Sequence, residues 1–156
     1  MEESVSLLKL IEESFALKEV DIRTYSPLTL AYIGDAVYDL IFRTVVVRQG
    51  NAPANKLHNK TVQYVKAPAQ ALLLEGILEE LTEEELRVYK RGKNAKPYTM
   101  AKNATRGEYK KATGLEALVG YLYLTGRTER VLELIQKGLH KSEGEGAIGK
   151  GNTRNQ

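Results

Sequence analysis

Cysteine is absent from the 156 residues, which removes disulfides, thiolate metal sites and cysteine nucleophiles and fits a reducing compartment. Histidine is nearly absent. Of its two positions, His58 has no second histidine or acid at metal-ligand spacing and reads as a surface or packing residue. Long apolar runs are missing too: the stretch around Val45–Val47 is broken by Arg43 and Arg48, far short of the ~20 residues that a membrane-crossing helix needs. The chain opens Met1-Glu2-Glu3 without a basic segment leading into an apolar one, so no secretory signal is expected and the expected location is the cytoplasm. No clear period-two alternation and no internal repeat occur, so the expected fold class is all-α.

What is present centres on residues 25–40. Ser26 is suited to cap a helix and Pro27 to occupy its first position, which predicts a helix running to about Val47. It is apolar on nearly every side, the pattern of a helix in the middle of a domain, with Asp35, Asp39 and Arg43 as its only charges. An unpaired carboxylate among apolar neighbours costs several kcal/mol or takes up a proton, so Asp35 needs a cation, a set of donors or a wet cleft. Asp39 has Arg43 one turn on; Asp35 has no partner in its own helix.

Elsewhere the periodicity predicts a first helix over 4–20 acting as a lid, and one from Asn51 to Pro68 carrying Leu57, Thr61, Tyr64 and Val65 on one face. A short helix is predicted over 69–76. Thr82 and Glu85 form a capping-box pattern that starts a helix to about Lys90. Gly92 and Pro97 predict a flexible loop over 90–96, a further helix is predicted over 98–111, and a nearly all-apolar one over 112–124 ends at Gly126. That last helix carries one charge, Glu116, beside a stripe of mostly small residues (Thr113, Ala117, Gly120, Leu124), much as Ala31, Gly34 and Ala36 flank Asp35. Two such helices can approach closely and bring Asp35 and Glu116 to one site; alternatively, each acid hydrogen-bonds nearby backbone. An amphipathic helix over 131–139 follows. The expected organisation is one domain over 1–140 and a disordered Gly-rich tail over 141–156.

Charge is unevenly distributed. Residues 87–111 contain nine Lys or Arg against the single acid Glu108, a net of +8, leaving 14 basic and 19 acidic residues, or −5, elsewhere. Such a band suits a polyanion, phosphate backbones first; alternatively it is a solvated, mobile loop. Its candidate contacts are Lys90, Arg91, Lys93, Asn94 and Lys96, helped by Lys102 and Arg106.

Residues 33–40, Ile-Gly-Asp-Ala-Val-Tyr-Asp-Leu, resemble the signature helix of ribonuclease III catalytic domains, and residues 115–124, Leu-Glu-Ala-Leu-Val-Gly-Tyr-Leu-Tyr-Leu, resemble their second conserved helix, in the family's order and at about its separation. The likeness covers roughly Tyr25 to Leu139. With only a Gly-rich tail after it, and with the Lys-Arg-Gly-Lys-Asn-Ala-Lys segment over 90–96, the chain is similar to the short bacterial form, Mini-ribonuclease III, which has no separate double-stranded-RNA-binding domain.

The resemblance implies an all-α homodimeric endonuclease that cuts double-stranded RNA with Mg2+, for which Mn2+ substitutes, and that trims the large-subunit (23S) ribosomal RNA precursor. It places metal binding and catalysis on Asp35 and Glu116. Full-length members carry further acids where this chain has Ala31 and Thr113, which leaves two carboxylates per subunit and the metal count open. Two carboxylates suit Mg2+, which keeps several of its waters. Whether a ribosomal protein assists recognition is open at this level. The rival reading is a non-catalytic RNA-binding or ribosome-assembly module in which the acids serve structure.

Overall fold

The computed structural model describes residues 6–96 and 104–145. These form seven α-helices: α1 (Leu7–Ser14), α2 (Pro27–Val47), α3 (Ala54–Val65), α4 (Ala67–Ile77), α5 (Glu83–Lys93), α6 (Arg106–Leu124) and α7 (Thr128–Glu145). No strand occurs among the described residues, as the missing alternation predicts.

Helix starts follow the capping chemistry. Ser26 Oγ accepts from the Thr29 amide at 3.2 Å with Pro27 in the first turn, and Thr82 and Glu85 exchange both capping-box hydrogen bonds. A second box, Thr105 with Glu108, starts α6. The helix predicted over 98–111 therefore splits: residues 97–103 lie outside the described residues, and 106–111 belong to the same helix as Glu116.

The centre of the domain is α6, with nine buried residues and with α2, α4, α5 and α7 packed around it. Tyr38, Phe42, Leu74, Ile77, Leu115, Leu118, Leu122 and Val131 build the core. The expectation that α2 sits in the middle holds for one side only. Leu30, Tyr38, Phe42 and Val46 are buried, whereas Tyr32 (81 % exposed), Leu40 (53 %) and Val47 (56 %) face outward. All-round hydrophobicity identifies the helix but does not say how many of its sides are covered within one chain.

Two further expectations are corrected. The first helix is eight residues long rather than spanning 4–20, because a Schellman closure (Leu17 N–H to Glu12 C=O, Ala16 N–H to Glu13 C=O) with Ala16 at φ 51° ends it. It buries nothing: Leu7, Leu10, Ile11 and Phe15 remain exposed, so it is not a lid on the core. At the other end α7 runs on to Glu145, so 141–145 are helical and the tail predicted from 141 does not begin there. Lys141 is held by Glu80 at 3.1 Å; residues 146–156 lie outside the described residues.

Candidate active site

The crossing of α2 over α6 depends on two glycines. A Cβ on Gly34 would stand 1.7 Å from the Glu116 carbonyl oxygen, and one on Gly120 would stand 2.0 Å from that of Leu30. Any side chain at either position would push the helices apart. The small-residue stripes therefore do what their spacing suggests, and the residue after Gly34 is set beside Glu116.

Asp35 stands near enough to Glu116 for its charge to act on that carboxyl, and neither joins any ion pair among the described residues. Burial, then the Asp35 charge, push the Glu116 carboxyl up to about 8, only partly opposed by a hydrogen bond from Gln70. The site thus sets two acids near each other with no cationic side chain paired to either among the described residues. Asp39 is engaged elsewhere, accepting from Arg43 Nε at 2.6 Å as its i,i+4 spacing predicts.

Gln70, from the first turns of α4, donates from Nε2 to Glu116 Oε2 at 3.2 Å and is 2 % exposed. Tyr38 presents the one buried side-chain polar atom among the described residues without a hydrogen-bond partner. Burial and the nearby Glu116 charge raise its phenol well above the usual range. A cleft of about 590 Å3 leads to Glu116 between the C-terminal half of α3, the start of α4 and the first half of α6, lined in part by Val65, Lys66, Gln70, Tyr109 and Thr113.

The donor set fits a small hard cation. No group of three or more acids, histidines or cysteines able to hold a metal occurs among the described residues, so two carboxylates are available. That is enough for Mg2+, which retains waters and takes further oxygens from a phosphate substrate. It is not a cage for Ca2+ or Zn2+.

The basic segment differs from its expected form. Lys90, Arg91 and Lys93 belong to the last turn of α5, with Asn94 as its C-cap and only Lys96 beyond it in irregular backbone. Gly92 breaks nothing: it lies buried against α6, where an added Cβ would meet Ala117 Cβ at 2.7 Å. The sequence suggests a loop here because a helical glycine that permits close packing looks the same as one that ends a helix. The packing anchors the basic turn to the stretch of α6 that carries Glu116. Lys90, Arg91, Asn94, Lys96 and Arg106 are exposed, Lys93 is half-buried, and Lys102 lies outside the described residues.

A second basic surface is not among the sequence expectations. Lys56, Lys60 and Gln63 are exposed on α3, away from its buried Thr61, and Lys66, exposed at its C-terminal cap, stands at the cleft. Its signal is nonetheless present: residues 40–74 contain Arg43, Arg48, Lys56, Lys60 and Lys66 and no acid. His58 is exposed on the same helix.

Residues 28–127 match the model of the Ribonuclease III domain family. A Mini-ribonuclease 3 of Enterococcus faecalis is 49 % identical over 117 residues, spanning 74 % of this chain and 89 % of that protein. One from a Thermoanaerobacter species is 45 % identical over 131 residues, 84 % of this chain and 92 % of the relative. A crystal structure of a Fusobacterium nucleatum protein superposes with a TM-score of 0.69 at 36 % identity, covering 76 % of this chain and 94 % of that one. Together with two carboxylates brought to one point by the α2–α6 glycine crossing, these matches show that the chain belongs to the ribonuclease III family, among its Mini-ribonuclease 3 members, and is an endoribonuclease.

Proposed function

We propose that the protein hydrolyses phosphodiester bonds of double-stranded RNA in a Mg2+-dependent reaction centred on Asp35 and Glu116. The observation that carries this reading is the pair itself: two acids on separate helices, near enough for the Asp35 charge to act on Glu116, with no ion-pair partner among the described residues and with Glu116 lining a cleft open to solvent. Asp35 and Glu116 would hold the cation. When bound, Mg2+ supplies Lewis-acid polarisation of the phosphate and neutralises charge on the leaving oxygen. The chain's own part is to supply oxygen ligands at a fixed separation, to hold Glu116 away from bulk water in the α2–α4–α6 crossing, and to orient the RNA.

Orientation falls to two basic surfaces. Lys90, Arg91, Lys93, Asn94 and Lys96, with Arg106, form one, and we add Lys56 and Lys60 on α3, with Lys66 at its C-terminal cap, as the other. Residues of this kind contact phosphates and 2'-hydroxyls, which suits recognition of an A-form duplex by shape rather than by base. A duplex is cut on both strands when two sites face it. The outer side of α2, with Tyr32, Leu40 and Val47 exposed, is the face we assign to a second copy, packed about a two-fold axis. The resemblance further supports action on the large-subunit ribosomal RNA precursor in the cytoplasm.

The test is gel analysis of a long RNA duplex incubated with Mg2+ or EDTA, alongside Asp35→Asn. Discrete fragments that require both Mg2+ and Asp35 are expected. A duplex left uncut at every Mg2+ concentration, or cut equally by Asp35→Asn, refutes the assignment.

A further inference from the structure

Gln70 is an anomaly in its helix. The buried residues around it on α4 are Ala71, Leu73, Leu74 and Ile77, and an apolar side chain of the same length would fill the space without the cost of burying an amide. Its side chain crosses to α6 and donates to one oxygen of Glu116, Oε2. A single donor of this kind fixes the rotation of the carboxylate while leaving lone pairs on its oxygens free for another partner. Its neutrality matters equally. A lysine or arginine there would form an ion pair with Glu116 and compete with a cation for its oxygens, whereas an amide orients the group without bringing a positive charge of its own. Gln70 is itself held: its backbone N–H donates to the Lys66 carbonyl at 3.0 Å in the first turn of α4, and that helix packs on α6.

We propose that Gln70 is the positioning residue of this site: its buried amide fixes the Glu116 carboxylate facing Asp35, so that the two acids are set to take a divalent cation before RNA arrives. The inference rests on Asp35 and Glu116 being the metal pair. In this role Gln70 acts through Glu116 rather than as a ligand of the cation. Groups in this role typically change metal affinity or activity by about 10–100-fold when removed.

The experiment measures Mn2+ binding to the RNA-free protein by electron paramagnetic resonance, with steady-state cleavage of a short RNA duplex, for wild type, Gln70→Met and Asp35→Asn. Gln70→Met keeps the side-chain length and removes the donor. Mn2+ affinity is expected to fall about tenfold or more, and kcat to fall with it while KM for the duplex stays the same, because the phosphate contacts are elsewhere. Should Gln70→Met fail to fold, Gln70→Asn, which keeps the amide but is a methylene too short to reach, is expected to show the same loss. Wild-type Mn2+ affinity and kcat in a folded Gln70 variant, even with a lowered melting temperature, overturn the proposal and leave Gln70 a packing residue. Asp35→Asn separates the two levels. If it abolishes Mn2+ binding and cleavage while the Gln70 variants behave as wild type, only the role of Gln70 falls; if it abolishes neither, the metal pair itself is wrong.

Discussion

Glu116→Gln should stabilise the metal-free protein at alkaline pH while destroying its activity. In the folded chain the Glu116 carboxyl is raised from the ordinary 4.5 to about 8, by burial first and by Asp35 second. Below pH 4.5 the group is protonated in both folded and unfolded states and contributes no penalty. Between 4.5 and 8 the unfolded chain releases the proton and the folded one keeps it, so stability falls by about 1.4 kcal/mol per pH unit and levels off above pH 8. The full penalty is on the order of 5 kcal/mol, and water entering the cleft reduces it. Glutamine never ionises and presents an N–H to Asp35, so the variant escapes the penalty. Urea denaturation in EDTA should show the two proteins nearly equal at about pH 5 and the variant ahead by at least about 2 kcal/mol at about pH 8.5. Mg2+ should narrow that gap by stabilising wild type alone. A difference that is the same at both pH values, or a variant less stable at the higher one, refutes the reasoning.

Other positions give independent checks. Gly34→Ala, whose Cβ would stand 1.7 Å from the Glu116 carbonyl oxygen, should cost about 3 kcal/mol or more by thermal melting and should lower cleavage even where the protein stays folded, because it separates the two acids. Tyr38→Phe removes the unpartnered buried hydroxyl and should leave stability unchanged or raise it by about 1 kcal/mol; a drop in melting temperature would show that the hydroxyl has a partner. Replacing Lys56, Lys60 and Lys66 together with alanine should weaken duplex binding for all sequences alike. Fluorescence anisotropy should also show a flatter dependence on salt, by about one unit of slope for each phosphate no longer neutralised. Leu40→Asp places a charge on the outer face of α2 and should yield a folded monomer in sedimentation equilibrium where wild type is expected to sediment as the proposed dimer.

Much of this molecule is legible in the order of its residues because it depends on neighbours in the chain. Ser26 with Pro27 and Thr82 with Glu85 name helix starts through bonds made within a single turn, and the Thr105–Glu108 pair carries the same signal inside a stretch whose basic residues draw attention first. Asp35 and Glu116 stand out because each is an acid without a partner within its own apolar stretch, a contrast visible without coordinates. Gln70 carries no such contrast: one amide among alanines and leucines reads equally well as a surface position, and only the packing of α4 on α6 turns it toward Glu116. Gly92 misleads in the opposite sense, since the loop it suggests and the helix contact it makes both call for a missing side chain.

The sequence by itself determined the all-α class, most helix origins, the two acids worth pairing and the presence of a basic band, because capping, periodicity and charge are local properties that survive in any conformation. Tertiary structure alone decided that Gly34 and Gly120 let α2 and α6 touch backbone to backbone, that the charge of Asp35 reaches Glu116, that α3 adds a second basic wall, and that one side of α2 stays uncovered. Each of these is a relation between residues far apart in the chain. It exists only once burial of the apolar faces has offset the entropy of bringing them together.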